Sequence, residues 1–124
     1  MIDHIELLTR KLDECVEFYR DVLEPLGYTL QVDDQAKGFG DGVTLDFFLK
    51  EGDQSTNVHY AFVAPSRAIV DRVYQKAQSD GHRLDRAPAL APHIHANYYA
   101  GCLRDLDGHL VEVVCHLAEL SRPR

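Results

Sequence analysis

Four residues have the types and spacing to do chemistry together: His4, Asp46, His59 and Glu112. A shift of 55 residues lays His4 on His59, and a shift of 66 lays Asp46 on Glu112. Two neutral imidazoles with one or two carboxylates suit Zn²⁺, Ni²⁺, Mn²⁺, Co²⁺ or Fe²⁺, and leave positions open for water or substrate. An ion held this way polarises a carbonyl, or lowers the pKa of a bound water to about 7. Glu112 is the sharpest member. It lies in the β-branched run Leu110-Val111-Glu112-Val113-Val114, entered through the acidic turn Asp105-Leu106-Asp107-Gly108-His109. Strand alternation puts Leu110, Glu112 and Val114 on one face, and Val111, Val113 and Cys115 on the other. A carboxylate on a largely apolar face is costly unless something pairs with it. A lone strand glutamate usually reaches solvent or an arginine; the repeated His/acid pairing points instead to a metal ion. Asp46 is one methylene shorter, and an exposed strand aspartate is its plain alternative.

The other candidates carry less. His93-Ile94-His95 sits in a Pro-bearing loop and reads as a solvated pair. His82 follows a helix, where it could cap carbonyls. His109 lies on the face opposite Glu112, and His116 shares the Glu112 face. Either Tyr98 or Tyr99 points into any cavity, as wall rather than catalyst. Cys15, Cys102 and Cys115 read as structural, with no neighbouring cation in the sequence to make a reactive thiolate. The chain has no Gly-rich phosphate loop and no GxSxG elbow.

The elements that must position these residues come in two similar sets. Residues 2–8 alternate around His4 and read as a strand. Leu12, Cys15, Val16, Tyr19, Val22, Leu23 and Leu26 recur at three- and four-residue steps, which predicts a helix stopped by Gly27. Asp13 is a candidate cap. Residues 28–32 read as a strand, 38–42 as a turn, and 43–49 as a further strand. After a polar loop at 50–56 the pattern restarts. Residues 58–63 read as a strand, and Pro65-Ser66 opens a helix striped by Ile69, Val70, Val73, Tyr74 and Ala77. A short strand begins at Leu84, a Pro/His loop covers 87–95, and strands follow at 97–103 and 110–115. The end of the chain, 121–124, reads as loose. The sum is an α+β fold of two β-α-β-β-β copies, each with a histidine on its first strand and a carboxylate on its last.

At 124 residues the chain is expected to be a single domain, 1–124, with modules at about 1–52 and 57–117. A formal charge of −7 argues against nucleic acid, which needs clustered Lys and Arg. No apolar run approaches the ~20 residues of a membrane helix. Three scattered cysteines and the absence of a signal-like start favour the cytoplasm.

Four motifs then bring a family into view. These are Ile2-Asp3-His4-Ile5; Glu17-Phe18-Tyr19-Arg20-Asp21-Val22-Leu23 with Leu26-Gly27; His59-Tyr60-Ala61-Phe62; and Asp105-Leu106-Asp107-Gly108-His109-Leu110-Val111-Glu112. In this order they resemble the vicinal oxygen chelate superfamily, which includes glyoxalase I, the bleomycin-resistance proteins and the extradiol dioxygenases. The resemblance implies paired βαβββ modules forming an incomplete eight-stranded barrel, with helices outside, around a divalent metal. It implies a homodimer with sites near the interface, and His4, His59 and Glu112 as ligands, with Asp46 where glyoxalase I has glutamate. The activity implied is a glyoxalase-like lyase or isomerase acting on a small molecule through an enolate or oxyanion, with Glu112 or Asp46 as base. A metal-free, drug-sequestering dimer of the bleomycin-resistance type is the alternative, and an Fe(II) dioxygenase is the second. One scaffold hosts many reactions, so the motifs do not name a substrate.

Overall fold

Each half of the chain spends its β-branched and aromatic residues on four strands and its three-to-four-residue apolar stripe on one helix. The computed structural model describes residues 2–56 and 58–119; the tail at 121–124 lies outside them. The first half runs β1 (Ile5–Thr9), α1 (Leu12–Leu23), a 3₁₀ turn (Glu24–Leu26), β2 (Thr29–Asp33), β3 (Ala36–Gly40) and β4 (Leu45–Glu51). The second runs β5 (His59–Val63), α2 (Arg67–Ser79), β6 (Arg83–Leu90), β7 (Tyr99–Arg104) and β8 (Leu110–Cys115). Strand order is β1-β4-β3-β2 in one sheet and β5-β8-β7-β6 in the other. In both sheets the first and last strands pair in parallel, and the remaining neighbours pair antiparallel. The internal repeat is therefore real at the level of topology, and the fold is α+β with βαβββ modules.

Local chemistry explains the element ends. The Ser66 hydroxyl accepts from the Ile69 N–H at 3.2 Å and starts α2, as an N-cap serine should. Asp13 does not cap α1: the helix begins at Leu12 with Lys11 in the capping position, and Asp13 instead meets the positive end of the helix in its first turn. Residues 38–40 belong to β3 rather than to a turn. Gly38 and Gly40 are glycine because neighbours crowd them: a methyl at Gly40 would fall 2.1 Å from the Thr44 carbonyl oxygen, and one at Gly38 would fall 2.7 Å from the Phe48 ring. β6 likewise extends to Leu90, into the expected loop. Pro88 is tolerated there because β6 pairs on one side only and its register slips between Arg86 and Ala89.

One core joins the modules. Phe18, Tyr19, Phe39 and Phe47 from the first share a buried cluster with Val70, Val73, Leu103 and Val111 from the second. The Phe47 ring stands edge-on to Phe62 with centroids 5.3 Å apart, a geometry worth ~1 kcal/mol beyond burial. Among the described residues no strand pairing joins the two sheets, which are open and four-stranded rather than parts of a closed barrel.

A buried acid fastens the junction. Asp105 is 1% exposed. Its Oδ1 accepts from the Asp107 N–H at 3.0 Å and the His109 N–H at 2.9 Å, and its Oδ2 accepts from the Tyr19 hydroxyl at 2.7 Å. The Tyr60 and Tyr19 hydroxyls are hydrogen-bonded to each other. One carboxylate thus shapes the turn before β8 and ties it to α1 and, through Tyr19, to β5. Burial holds its carboxyl above the usual range, against the pull of its two backbone donors. Asp105→Ala leaves the two backbone donors without a buried partner and Tyr19 with the Tyr60 hydroxyl alone, so a loss of about 2–3 kcal/mol in urea unfolding is expected, against ~1 kcal/mol for Tyr19→Phe.

Candidate metal centre

Glu112 lies between Val111 and Val113, which face the core, and its own side chain takes the opposite face with Val114. It is 6% exposed. The parallel ladder pairs His59 with Leu110 and Ala61 with Glu112, so His59 shares the Glu112 face two residues away. His59 Nε2 stands 3.3 Å from Glu112 Oε1. The Tyr98 hydroxyl donates to the other carboxylate oxygen. Burial first, and then the facing Glu112, push the Tyr98 phenol up to about 12, so it stays a proton donor through the neutral range. Two donors 3.3 Å apart can both reach one ion at ~2.0–2.2 Å, so the pair fits a divalent metal.

His4 and Asp46 belong to the other sheet. His4 immediately precedes β1, whose first pair is Ile5 with Phe47, so one step back it stands beside Asp46. Its Nδ1–H donates to Asp3 Oδ1 at 2.7 Å. That leaves the lone pair on Nε2, the arrangement that orients a histidine ligand. Asp46 is an extra residue in its ladder: Gly40 pairs with Leu45 and Phe39 with Phe47, a bulge with Asp46 between. Bulges re-aim side chains, and here the Asp46 carboxylate accepts from the Tyr28 hydroxyl at 2.8 Å. His4, Asp46 and Tyr28 line a cavity of about 290 Å³, together with Tyr60, Ala61 and Val63.

Within one chain His59 and Glu112 meet, His4 and Asp46 line one cavity, and among the described residues no three of these four bring their ligand atoms within 4.8 Å of one another. Among the described residues, the group of three whose ligand atoms lie within 4.8 Å of one another is a different one, Asp21, Asp80 and His82. The Lys76 ammonium occupies it, 2.9 Å from Asp80 and 3.8 Å from Asp21. His82 does not cap carbonyls with its ring; its Nε2 meets Asp21 at 2.8 Å and links α2 to α1. This cluster is an ionic tie between helices.

Some partners were not evident from residue type. Tyr98 falls on the Glu112 face by strand alternation, since Cys102 pairs with Glu112 and Tyr98 shares the Cys102 face; that signal was present. The Tyr28–Asp46 contact depends on a bulge, which no periodicity announces. His116 meets His95, with Nδ1 and Nε2 2.6 Å apart.

Residues 1–113 match the model of the Glyoxalase/Bleomycin resistance protein/Dioxygenase superfamily. The chain belongs to that superfamily. No curated protein matches it by sequence. Among solved structures, a glyoxalase/bleomycin resistance protein from Albidiferax ferrireducens T118 superposes with a TM-score of 0.79 at 17% identity, covering 93% of this chain and 98% of that one. The lactoylglutathione lyase from Agrobacterium tumefaciens gives 0.68 at 23% identity, with 93% and 92% covered. TioX from Micromonospora sp. ML1 gives 0.71 at 17% identity, with 94% and 99% covered. Likenesses at these identities establish the superfamily fold, not a shared reaction. No helix among the described residues is long and apolar enough to cross a membrane.

The tyrosines allow a pH test. Tyr98 and Tyr99 are both pushed up to about 12, chiefly by burial. An acid whose folded pKa exceeds its unfolded value (~10) holds extra protons in the folded state between the two, so stability falls as pH rises through that window. Unfolding midpoints should drop between about pH 10 and 12, and phenolate absorbance should appear late and together with unfolding.

Proposed function

We propose that the protein is a divalent-metal-dependent enzyme of the glyoxalase-like type whose sites are completed across a homodimer. His4 and Asp46 of one copy would join His59 and Glu112 of the other around each ion. The observation that carries this reading is the His59–Glu112 pair, 3.3 Å apart. It is half of a coordination set on a nearly buried acid, and the matching half stands on a separate sheet. A twofold axis supplies two such unions at once, because each contact made by one copy is returned by the other. When bound, the ion would act as a Lewis acid on one or two oxygens of a small substrate and favour an enolate or oxyanion.

The chain's own residues do the rest. Asp3 orients His4, and Tyr28 holds Asp46 at the cavity wall. Phe47, Tyr60 and Phe62 give that cavity a largely apolar lining. Asp46 would serve as general base when only loosely held by the ion, since its carboxylate faces the cavity while Glu112 is enclosed. The class of reaction is a lyase or isomerase step on a substrate with neighbouring oxygens.

A second reading rests on a specific feature: the Asp46 and Glu112 carboxylates each accept from a phenol hydroxyl of the fold itself. A metal-free dimer that holds a cationic or apolar small molecule is consistent with this and with the charge of −7. Thermal shifts on ligand addition without metal would distinguish it. Oxygen uptake dependent on Fe²⁺ would instead mark a dioxygenase.

Two measurements test the proposal. Purified wild type incubated with Ni²⁺, Zn²⁺, Mn²⁺, Co²⁺ or Fe²⁺ should retain one ion per chain, and His59→Ala should lose it. Wild type that retains no ion in any of these incubations overturns the metal reading. His4→Ala and Glu112→Gln chains, each metal-deficient alone, should recover about a quarter of wild-type metal content when unfolded and refolded together. Mixed dimers would carry one intact site. No recovery would place each site within a single chain.

A further inference from the structure

The two oxygens of Glu112 are divided between partners. Oε1 faces His59 Nε2 at 3.3 Å, and Oε2 accepts the Tyr98 hydroxyl. We propose that Tyr98 is a positioning residue that holds Glu112 as a one-oxygen ligand, braced in place by the hydrogen-bonded pair His95–His116. This rests on the metal reading above and deepens it.

Three observations support the assignment. First, Tyr98 reaches Glu112 from the strand beside it. β7 pairs Cys102 with Glu112 and Ala100 with Val114, and alternation puts Tyr98 on that same face while Tyr99 turns to the helix side and donates to Asp71 at 2.5 Å. The phenol has a direct line to the carboxylate, and Glu112 is too enclosed for its second oxygen to find water easily. A carboxylate so tied has one free oxygen, and that oxygen is on the His59 side. A second bond from the same carboxylate would consume a coordination position that a substrate oxygen needs.

Second, the Tyr98 ring is itself held. It stands edge-on to His95 at 5.4 Å and to His116 at 5.3 Å between centroids. Those imidazoles stack with an interplanar angle of 18° and share a 2.6 Å hydrogen bond. Third, their proton positions follow from their partners. The Asn97 N–H donates to His95 Nδ1 at 3.2 Å, so that nitrogen is the acceptor and a neutral His95 carries its proton on Nε2. His95 Nε2–H therefore donates to His116 Nδ1. With Nδ1 engaged, His116 keeps Nε2 as its outward nitrogen. Both imidazoles are committed to each other, which makes them a brace against the Tyr98 ring. The loop histidine His95 and the strand-end His116 thereby acquire one joint role.

The test uses Co²⁺, whose visible absorption weakens as its coordination number rises. Wild type and Tyr98→Phe are loaded with Co²⁺ and compared by visible spectrum, by affinity, and by the thermal shift the ion produces. Removing the hydroxyl frees Oε2, so Tyr98→Phe should show a weaker, shifted band, a metal affinity raised about 10-fold, and for that reason a larger metal-induced rise in Tm than wild type. That last readout is one a merely structural tyrosine would not move, because the ion then satisfies an oxygen that the phenol satisfied before. His116→Ala keeps the phenol and loosens the brace, and should give an intermediate spectrum; it serves also if Tyr98→Phe does not fold. Wild type that binds Co²⁺ while both variants give its spectrum and affinity overturns the positioning role and leaves the metal reading intact. Wild type that takes up no Co²⁺ overturns both.

Discussion

The carboxylate of Asp105 is the constraint on which the arrangement turns. Burying a charged or protonated acid is costly by several kcal/mol unless donors replace the lost water. Here two backbone N–H groups and a tyrosine hydroxyl do so. Because one donor comes from α1 and the others from the turn before β8, the acid is satisfied only when the two modules are in their native relation. Tyr60 extends the same network to β5. The strands that carry His59 and Glu112 are therefore placed by a polar contact that also registers the halves of the molecule. Gly108 completes the turn at φ 82°, a left-handed conformation glycine adopts without strain.

Glu112 lies only seven residues further on, and it is nearly as enclosed as Asp105, but its surroundings differ in kind. Asp105 is closed on every side by donors that belong to the fold. Glu112 has a phenol on one oxygen and, on the other, a histidine whose side chain is 53% exposed. The first acid is spent on structure. The second keeps one side facing a group that solvent, an ion or a second chain can reach. Two acids of one motif, DLDGHLVE, thus differ by what the backbone puts beside them: one is closed by donors of the fold, the other faces an accessible histidine.

The parts legible in the sequence were those governed by periodicity. The alternation of Leu110–Val114 placed Glu112 on the correct face, the helical stripes found both helices, and the shift of 55 residues exposed the duplication that sheet order displays. What escaped depends on contacts between distant segments. Gly38 and Gly40 look like turn residues because a missing side chain is shared by turns and by crowded strands; only Phe48 and Thr44 tell them apart. Pro88 hides an edge strand for a similar reason. Which of His4, Asp46, His59 and Glu112 meet within one chain was not legible, since composition does not say whether repeats meet edge to edge or core to core. Asp105 read as an ordinary turn acid because Tyr19 lies far away in the chain.

The bulge in β4 has a consequence of a different kind. Phe47 and Leu49 are buried and Leu45 is not, and the extra residue that carries the acid is already accommodated outside the regular ladder. Deleting the single codon for Asp46 would let Leu45 pair in its place and leave every core side chain of the strand in register. The acid and the architecture are inherited separately at this position. A lineage could shed the cavity's carboxylate, or regain it, in one genetic step without rebuilding the sheet that carries it.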